Sequence, residues 1–281
     1  MNHSAKPLKA VPVFYWRSLI GISLFTLFWL FLANVNVPGS ARIPEGVLSW
    51  RFQTGGEVQS SPAVSKEAVY VGSADHHLYS LDTRTGEVLW KYETGGHVWS
   101  SPCFFDNAVY VGSADHHVYA FDAGSGDLIW KFKTRYVVSS SPRVYSGVVY
   151  VGGEDGHLYA LDAHEGTLVW RYRAGQVFSS AEAFDGIVYA GCLDHHLYAL
   201  DAETGDLLWR FETGGWIWSS PNIYEGIVYI GSDDSHLYAI DAFTGELQWS
   251  FEVGGPIQSS PALFEGALYF GSRDGYVYAL R

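Results

Sequence analysis

Six tryptophans recur along the chain at nearly constant intervals. Trp50, Trp90, Trp130, Trp170, Trp209 and Trp249 are separated by 40, 40, 40, 39 and 40 residues. A fixed period of this length marks small units, each of which buries its apolar face only against its neighbours. The text between the tryptophans also returns. From Gly95 to Trp130 it reads GGHVWSSPCFFDNAVYVGSADHHVYAFDAGSGDLIW. From Gly214 to Trp249 it reads GGWIWSSPNIYEGIVYIGSDDSHLYAIDAFTGELQW.

Each unit contains four strand signals. In the second unit these are VWSSP, AVYVGS, HVYAFD and DLIWKFKT, rich in β-branched and aromatic residues. Asp-His, Asp-Gly or Asp-Ser joins the second run to the third, and Asp-Ala-x-x-Gly joins the third to the fourth. Connections this short give an antiparallel meander. Helical apolar periodicity is missing from the repeats, which excludes a solenoid of helix pairs. The fold class is therefore all-β: a six-bladed β-propeller of four-stranded antiparallel blades over residues 47–281. The repeat text opens at Val47 with a fourth strand only and stops at Arg281 after a third. Val47–Thr54 is thus expected to supply the outer strand of the last blade, closing the ring and removing two open edges.

The text VYVGSxDxxLYALDAxTGxxxW, read in Val69–Trp90, Val109–Trp130, Val149–Trp170, Val188–Trp209 and Val228–Trp249, is similar to the repeat of the pyrroloquinoline-quinone (PQQ) propeller family. That family includes quinoprotein alcohol dehydrogenases and non-enzymatic outer-membrane assembly factors. The resemblance implies eight blades in both, against six here. It implies two functions. One is a non-enzymatic binding or scaffold module, for which no cofactor is expected. The alternative is a PQQ- and Ca²⁺-dependent dehydrogenase, with the quinone on Trp218 or Trp99, oxygen ligands from Glu182 and Asn222, and an aspartate base. The vicinal cysteine pair of many such dehydrogenases is absent, for Cys103 and Cys192 lie in blades two apart.

Ahead of the repeats, residues 1–18 carry Lys6, Lys9 and Arg17, and Leu19–Ala33 is a run without charge. Basic residues before an apolar run hold that flank in the cytoplasm and send the chain beyond the run across the membrane. Residues 19–37 read as one hydrophobic helix, either a retained membrane anchor or a cleaved signal peptide, and 38–46 as a linker. The propeller is expected on the extracytoplasmic side. Beyond residue 46 the chain carries 13 basic and 29 acidic residues, a net of −16. Such a surface repels anionic headgroups and excludes a nucleic-acid groove, which needs a basic stripe.

Most repeated residues have structural explanations. The six tryptophans are expected to fill the gaps between blades, with the Gly72, Gly112 and Gly152 column admitting them closely. Asp82 and its equivalents precede turns with Gly86 and its equivalents, where the carboxylate accepts turn N–H groups and glycine takes positive φ. His77, His117, His157, His196 and His236 share one column, read as turn-filling rather than as a metal site: adjacent sheets stand too far apart for five imidazoles to meet one ion.

In a monotonous array the variable columns are informative. On the inner strand one column reads Gln59, Trp99, Ser139, Phe178, Trp218, Gln258, and four residues later another reads Ala63, Cys103, Arg143, Glu182, Asn222, Ala262. Trp216 and His97 occupy a loop column just ahead of them. With the four runs of a unit taken in order as strands A to D, the expected binding site for a protein or small ligand is therefore Trp99, Trp216, Trp218, Phe178 and His97, on the face shared by the B–C turns and the D–A loops. Arg143, Glu182 and Asn222 are expected to line the channel, with Arg143 and Glu182 paired.

Overall fold

The computed structural model describes residues 48–281; the expected hydrophobic helix at 19–37, its basic flank and the linker at 38–46 lie outside the described residues. Six antiparallel sheets succeed one another along the described residues, five with four strands and the last with three. Blade two is representative: strand A is Cys103–Phe105, B is Ala108–Ser113, C is His117–Asp122 and D is Leu128–Lys133, in the order A-B-C-D. Strands B and C are almost wholly buried in every blade from the first to the fourth, because both of their faces pack on neighbouring sheets. That explains why AVYVGS and HVYAFD are apolar runs rather than alternating ones.

The D strands alternate instead. In Leu128–Lys133, Trp130 turns inward and is buried while Lys131 and Lys133 face solvent. Every repeat tryptophan but Trp249 docks on the blade that follows it, where its indole N–H reaches a carbonyl of the C–D turn. Trp90 donates to Ala123, Trp130 to Ala163 and Trp170 to Ala202, each at 2.9 Å. A buried tyrosine of strand B takes the same carbonyl: Tyr110 with Ala163 at 3.1 Å and Tyr150 with Ala202 at 2.9 Å. The expected partner of the tryptophan changes. A Cβ at Gly126 would stand 2.6 Å from the Trp90 ring, so the turn glycine admits the indole and also holds φ 76°. The Gly112 column faces an aliphatic residue of the following blade, Val138, 2.5 Å from a would-be Cβ.

The Asp82-type turns form as expected. Asp122 accepts the N–H groups of Gly124 and Ser125 at 3.0 and 2.8 Å. The inner strand is displaced from its expected place. VWSSP forms no ladder, and strand A begins after the proline, at Cys103. The serine side chains take over the bonding there: Ser140 Oγ both donates to the Gly152 carbonyl and accepts its N–H. The next serine links blades, its Oγ accepting the backbone N–H of its counterpart 40 residues earlier, as in Ser61 to Ser101 and Ser101 to Ser141.

The last blade differs from the expectation of a paired outer strand. Its sheet is Ala262–Phe264, Ala267–Gly271 and Val277–Leu280, and Leu48–Thr54 forms no strand. Trp50 is instead held by blade one, its N–H on the Thr83 carbonyl at 3.0 Å. Two surfaces that are covered elsewhere stay bare. Val58 is 49% exposed where Val98 is sealed, and a Cβ at Gly271 would meet only Ser259. Trp249 is 40% exposed, and Tyr276 and Val277 on the edge strand are 66% and 81% exposed.

Candidate functional site

The approach to each inner strand passes the B–C turn of its own blade, and one aspartate ties the two together. Asp115 accepts the Gly95 N–H at 2.7 Å, the His117 N–H at 3.1 Å and the Tyr119 hydroxyl at 2.6 Å. Burial raises the Asp115 pKa, but the bonds from Tyr119 and Gly95 outweigh it and hold the carboxyl below its ordinary value. The same staple recurs at Asp75, Asp234 and Asp274. It fixes the height of the D–A loops and so presents the variable residues at the mouth.

The histidine column belongs to this scaffold. His77 and His117 each hold Nδ1 against the carbonyl of the preceding aspartate at 2.9 Å and rest on a tyrosine ring. The histidines just ahead of them, His76, His116 and His195, carry φ of 72–73°, a left-handed turn position in which a Cβ is strained. Among the described residues no three His, Cys, Asp or Glu side chains converge as for a metal ion. Both cysteines are free, and burial pushes both thiols up.

The five expected mouth residues form two stations. In the first, His97 stacks on Trp99 with ring centroids 4.9 Å apart and meets His76 edge-on at 4.8 Å. In the second, Trp218 packs on Phe178 at 5.0 Å and stands nearly perpendicular to Trp216 at 6.3 Å. Trp99 and Trp216 are 37% and 49% exposed; Phe178 and Trp218 are half-buried. Because VWSSP is not a strand, these rings sit in the approach segment, above strand A rather than on it. Ser139 of blade three separates the stations in the column.

Arg143 and Glu182 each open a strand A in adjacent blades, and their side chains pair at 2.8 Å. Arg143 is 51% exposed, so the pair is wetter than a pair buried in a channel wall. Asn222 opens the next strand A and is half-buried.

One residue of the second station, Asp233, escapes the sequence reading. Asp233 accepts the Trp218 indole N–H at 3.2 Å, and its other oxygen accepts the Gln258 amide at 2.9 Å. Asp233 sits in a variable column of its own, Ala74, Ala114, Glu154, Leu193, Asp233, Arg273, so the signal for it is present in the repeats.

The family described as outer membrane protein assembly factor BamB matches residues 41–102, 93–192 and 177–281. The chain belongs to this PQQ-like propeller family. No curated protein sequence matches it at a significant level. Among solved structures, it is similar to the computationally designed Ika8 protein, with a TM-score of 0.71 and 22% identity over 78% of this chain and 70% of that one. It is also similar to BamB from Moraxella catarrhalis, with a TM-score of 0.56 and 19% identity over 83% and 86% of the two chains. A quinohemoprotein alcohol dehydrogenase from Pseudomonas putida HK5 matches with a TM-score of 0.61 and 20% identity, over 73% of this chain and 43% of that one. At these identities the likeness is one of fold.

Of the residues offered for a quinone and calcium, Glu182 and Trp218 are already engaged by other side chains. Glu182 is engaged by Arg143, whose positive charge opposes a cation there. Trp218 has one flank on Phe178 and its edge on Asp233, and Trp216 stands across it.

Proposed function

We propose that this propeller is a non-enzymatic assembly or docking module for a protein partner. Residues 19–37 hold it to the membrane, with the blades on the extracytoplasmic side. The observation that carries the reading is the exposure of Trp99 and Trp216 on one face, beside His97, Phe178 and Trp218. Exposed aromatic groups clustered at a mouth favour burial on a partner, where one tryptophan removes much apolar area and still donates a hydrogen bond. Membership of the BamB family supports a protein partner and an extracytoplasmic site. The test is chemical cross-linking in membranes of the native host, with subsequent capture of the full chain. A partner captured with wild type and lost with Trp99→Ala or Trp216→Ala supports the reading; a partner captured equally by both variants overturns the face. A C-terminal alkaline phosphatase fusion should be active, and an inactive one ends the export claim.

The ring is further proposed to close through Leu48–Thr54. The C–D register of blade one pairs His77 with Glu93, Ser80 with Trp90 and Leu81 with Val88. Transferred to the last blade, it pairs Tyr276 with Gln53, Ala279 with Trp50 and Leu280 with Leu48. The same closure would lay Val58 over Gly271 and cover the flank of Trp249, the three groups left bare at the ends.

A further inference from the structure

The two stations of the mouth differ in charge, and only the second has a carboxylate built into its aromatic wall. Asp233 lies in the B–C turn of blade five, half-buried, with its N–H on the Trp216 carbonyl at 2.9 Å. Its two oxygens are held by Trp218 and Gln258, both neutral donors. The arginine ion pairs among the described residues are Arg84 with Asp82 and Arg143 with Glu182, so no arginine among them serves Asp233. A carboxylate with four acceptor sites has used two, and both on neutral donors.

Trp216 and Trp218 stand at 80° to one another with centroids 6.3 Å apart, and Trp216 is half exposed. The exposed indole of Trp216, with Trp218 standing across it and a fixed carboxylate bonded to the Trp218 edge, forms a corner for a planar cation. A guanidinium stacks on an indole face and forks two N–H groups to a carboxylate. An ammonium gains the charge but not the stacking or the fork.

Resting on the docking role proposed above, we infer that the Trp216–Trp218–Asp233 corner receives an arginine side chain of the partner protein. Charge complementarity extends beyond the corner, because the chain past residue 46 carries a net of −16. That field draws a basic segment toward the mouth and repels anionic lipid and nucleic acid.

The experiment uses the full chain in detergent and a short acetylated, amidated Gly-Arg repeat peptide. Its control is the same peptide with citrulline, which is neutral and nearly isosteric with arginine. Binding is read by tryptophan fluorescence and calorimetry. The arginine peptide should bind at least about tenfold more tightly than the citrulline peptide. Asp233→Asn keeps an acceptor for Trp218 and should bring the two peptides to equal affinity, with the folded chain verified by melting. Trp216→Ala should weaken the arginine peptide by about tenfold. Equal binding of the two peptides by wild type, no binding of either, or an unchanged preference in Asp233→Asn overturns the inference. If Trp216→Ala still loses the cross-linked partner while the peptides bind equally, the docking face stands and its arginine specificity falls.

Discussion

Arg143 Nη2 and Glu182 Oε1 meet at 2.8 Å, joining the first residues of two neighbouring inner strands. The two positions are equivalent in the repeat, so blade-to-blade register alone brings them together. Arg143 is half exposed, and water screens much of the attraction. Removing either partner should cost about 0.2–1 kcal/mol, less than a buried pair would. Exchanging the two residues should restore most of that loss in a chemical-denaturation midpoint; a double variant no better than either single one would show that the contact contributes nothing.

Trp130 and Trp216 should respond in opposite ways to truncation. Trp130 is buried against Tyr110 and the Ala163 carbonyl, and its loss leaves a cavity between blades two and three. Trp130→Ala should destabilise by about 3–5 kcal/mol. Trp216→Ala removes an exposed ring and should change stability by about 0.5 kcal/mol or less while weakening partner capture. Thermal melting of both variants checks this, and a Trp216 variant that melts like Trp130→Ala would make the mouth rings a structural plug.

Ring closure predicts a specific covalent bond. In a Gln53→Cys, Tyr276→Cys double variant, mild oxidation of dilute protein should give an intramolecular disulfide found by peptide mapping, because cross-strand partners stand within bridging distance. A cross-link only between copies, rising with concentration, would mean that the ends mate in trans.

The aspartate staples and their tyrosines set the pH limits of stability. The carboxyls of Asp75 and Asp115 titrate below their ordinary range: burial opposes this, but the Tyr79 and Tyr119 hydroxyls and backbone N–H groups prevail. A depressed pKa contributes stability above about 3.9, the unfolded value, and loses it as pH falls through the folded one. Burial first, and the Asp75 carboxylate second, push Tyr79 up to about 12. A raised pKa contributes stability that is whole below about 10 and is lost as pH rises toward the folded value. Denaturation midpoints should therefore fall in acid and again above about pH 10, and tyrosinate absorbance should lag behind that of a free tyrosine. Absorbance that tracks free tyrosine would refute the burial.

His195 holds φ 73° in the B–C turn of blade four, where Gly156 serves in blade three. Its backbone carbonyl still accepts the Thr213 N–H at 2.8 Å, so glycine there keeps the loop bond. His195→Gly should stabilise by about 0.5 kcal/mol or more if backbone strain dominates. A loss of stability would show that the imidazole contributes more than the strained φ costs.

The repeat period, the four runs per unit and the turn chemistry of the Asp82 column were legible because each rests on local rules. An Asp-x-x-Gly turn forms wherever its residues occur, and a 40-residue period of β-branched runs has few architectures open to it. The pairing of Arg143 with Glu182 was legible for the same reason, since equivalent positions in adjacent units are neighbours. What the sequence left open depends on which surfaces meet. The inner strand moved past the proline because Ser100 and Ser140 bond to the glycine of strand B, an alternative to the ladder that no propensity encodes. The tryptophan found Gly126 rather than Gly112, a choice set by the offset of one sheet against the next. Likewise Asp233 joined Trp218 across 15 residues, while Trp99 and Trp216, read as one cluster, came to lie in separate stations. The sequence by itself determined the blade, because a blade is made of hairpins closed by short turns. Only the tertiary structure decided the mouth, because its chemistry is assembled from several blades and distance between blades is set by packing.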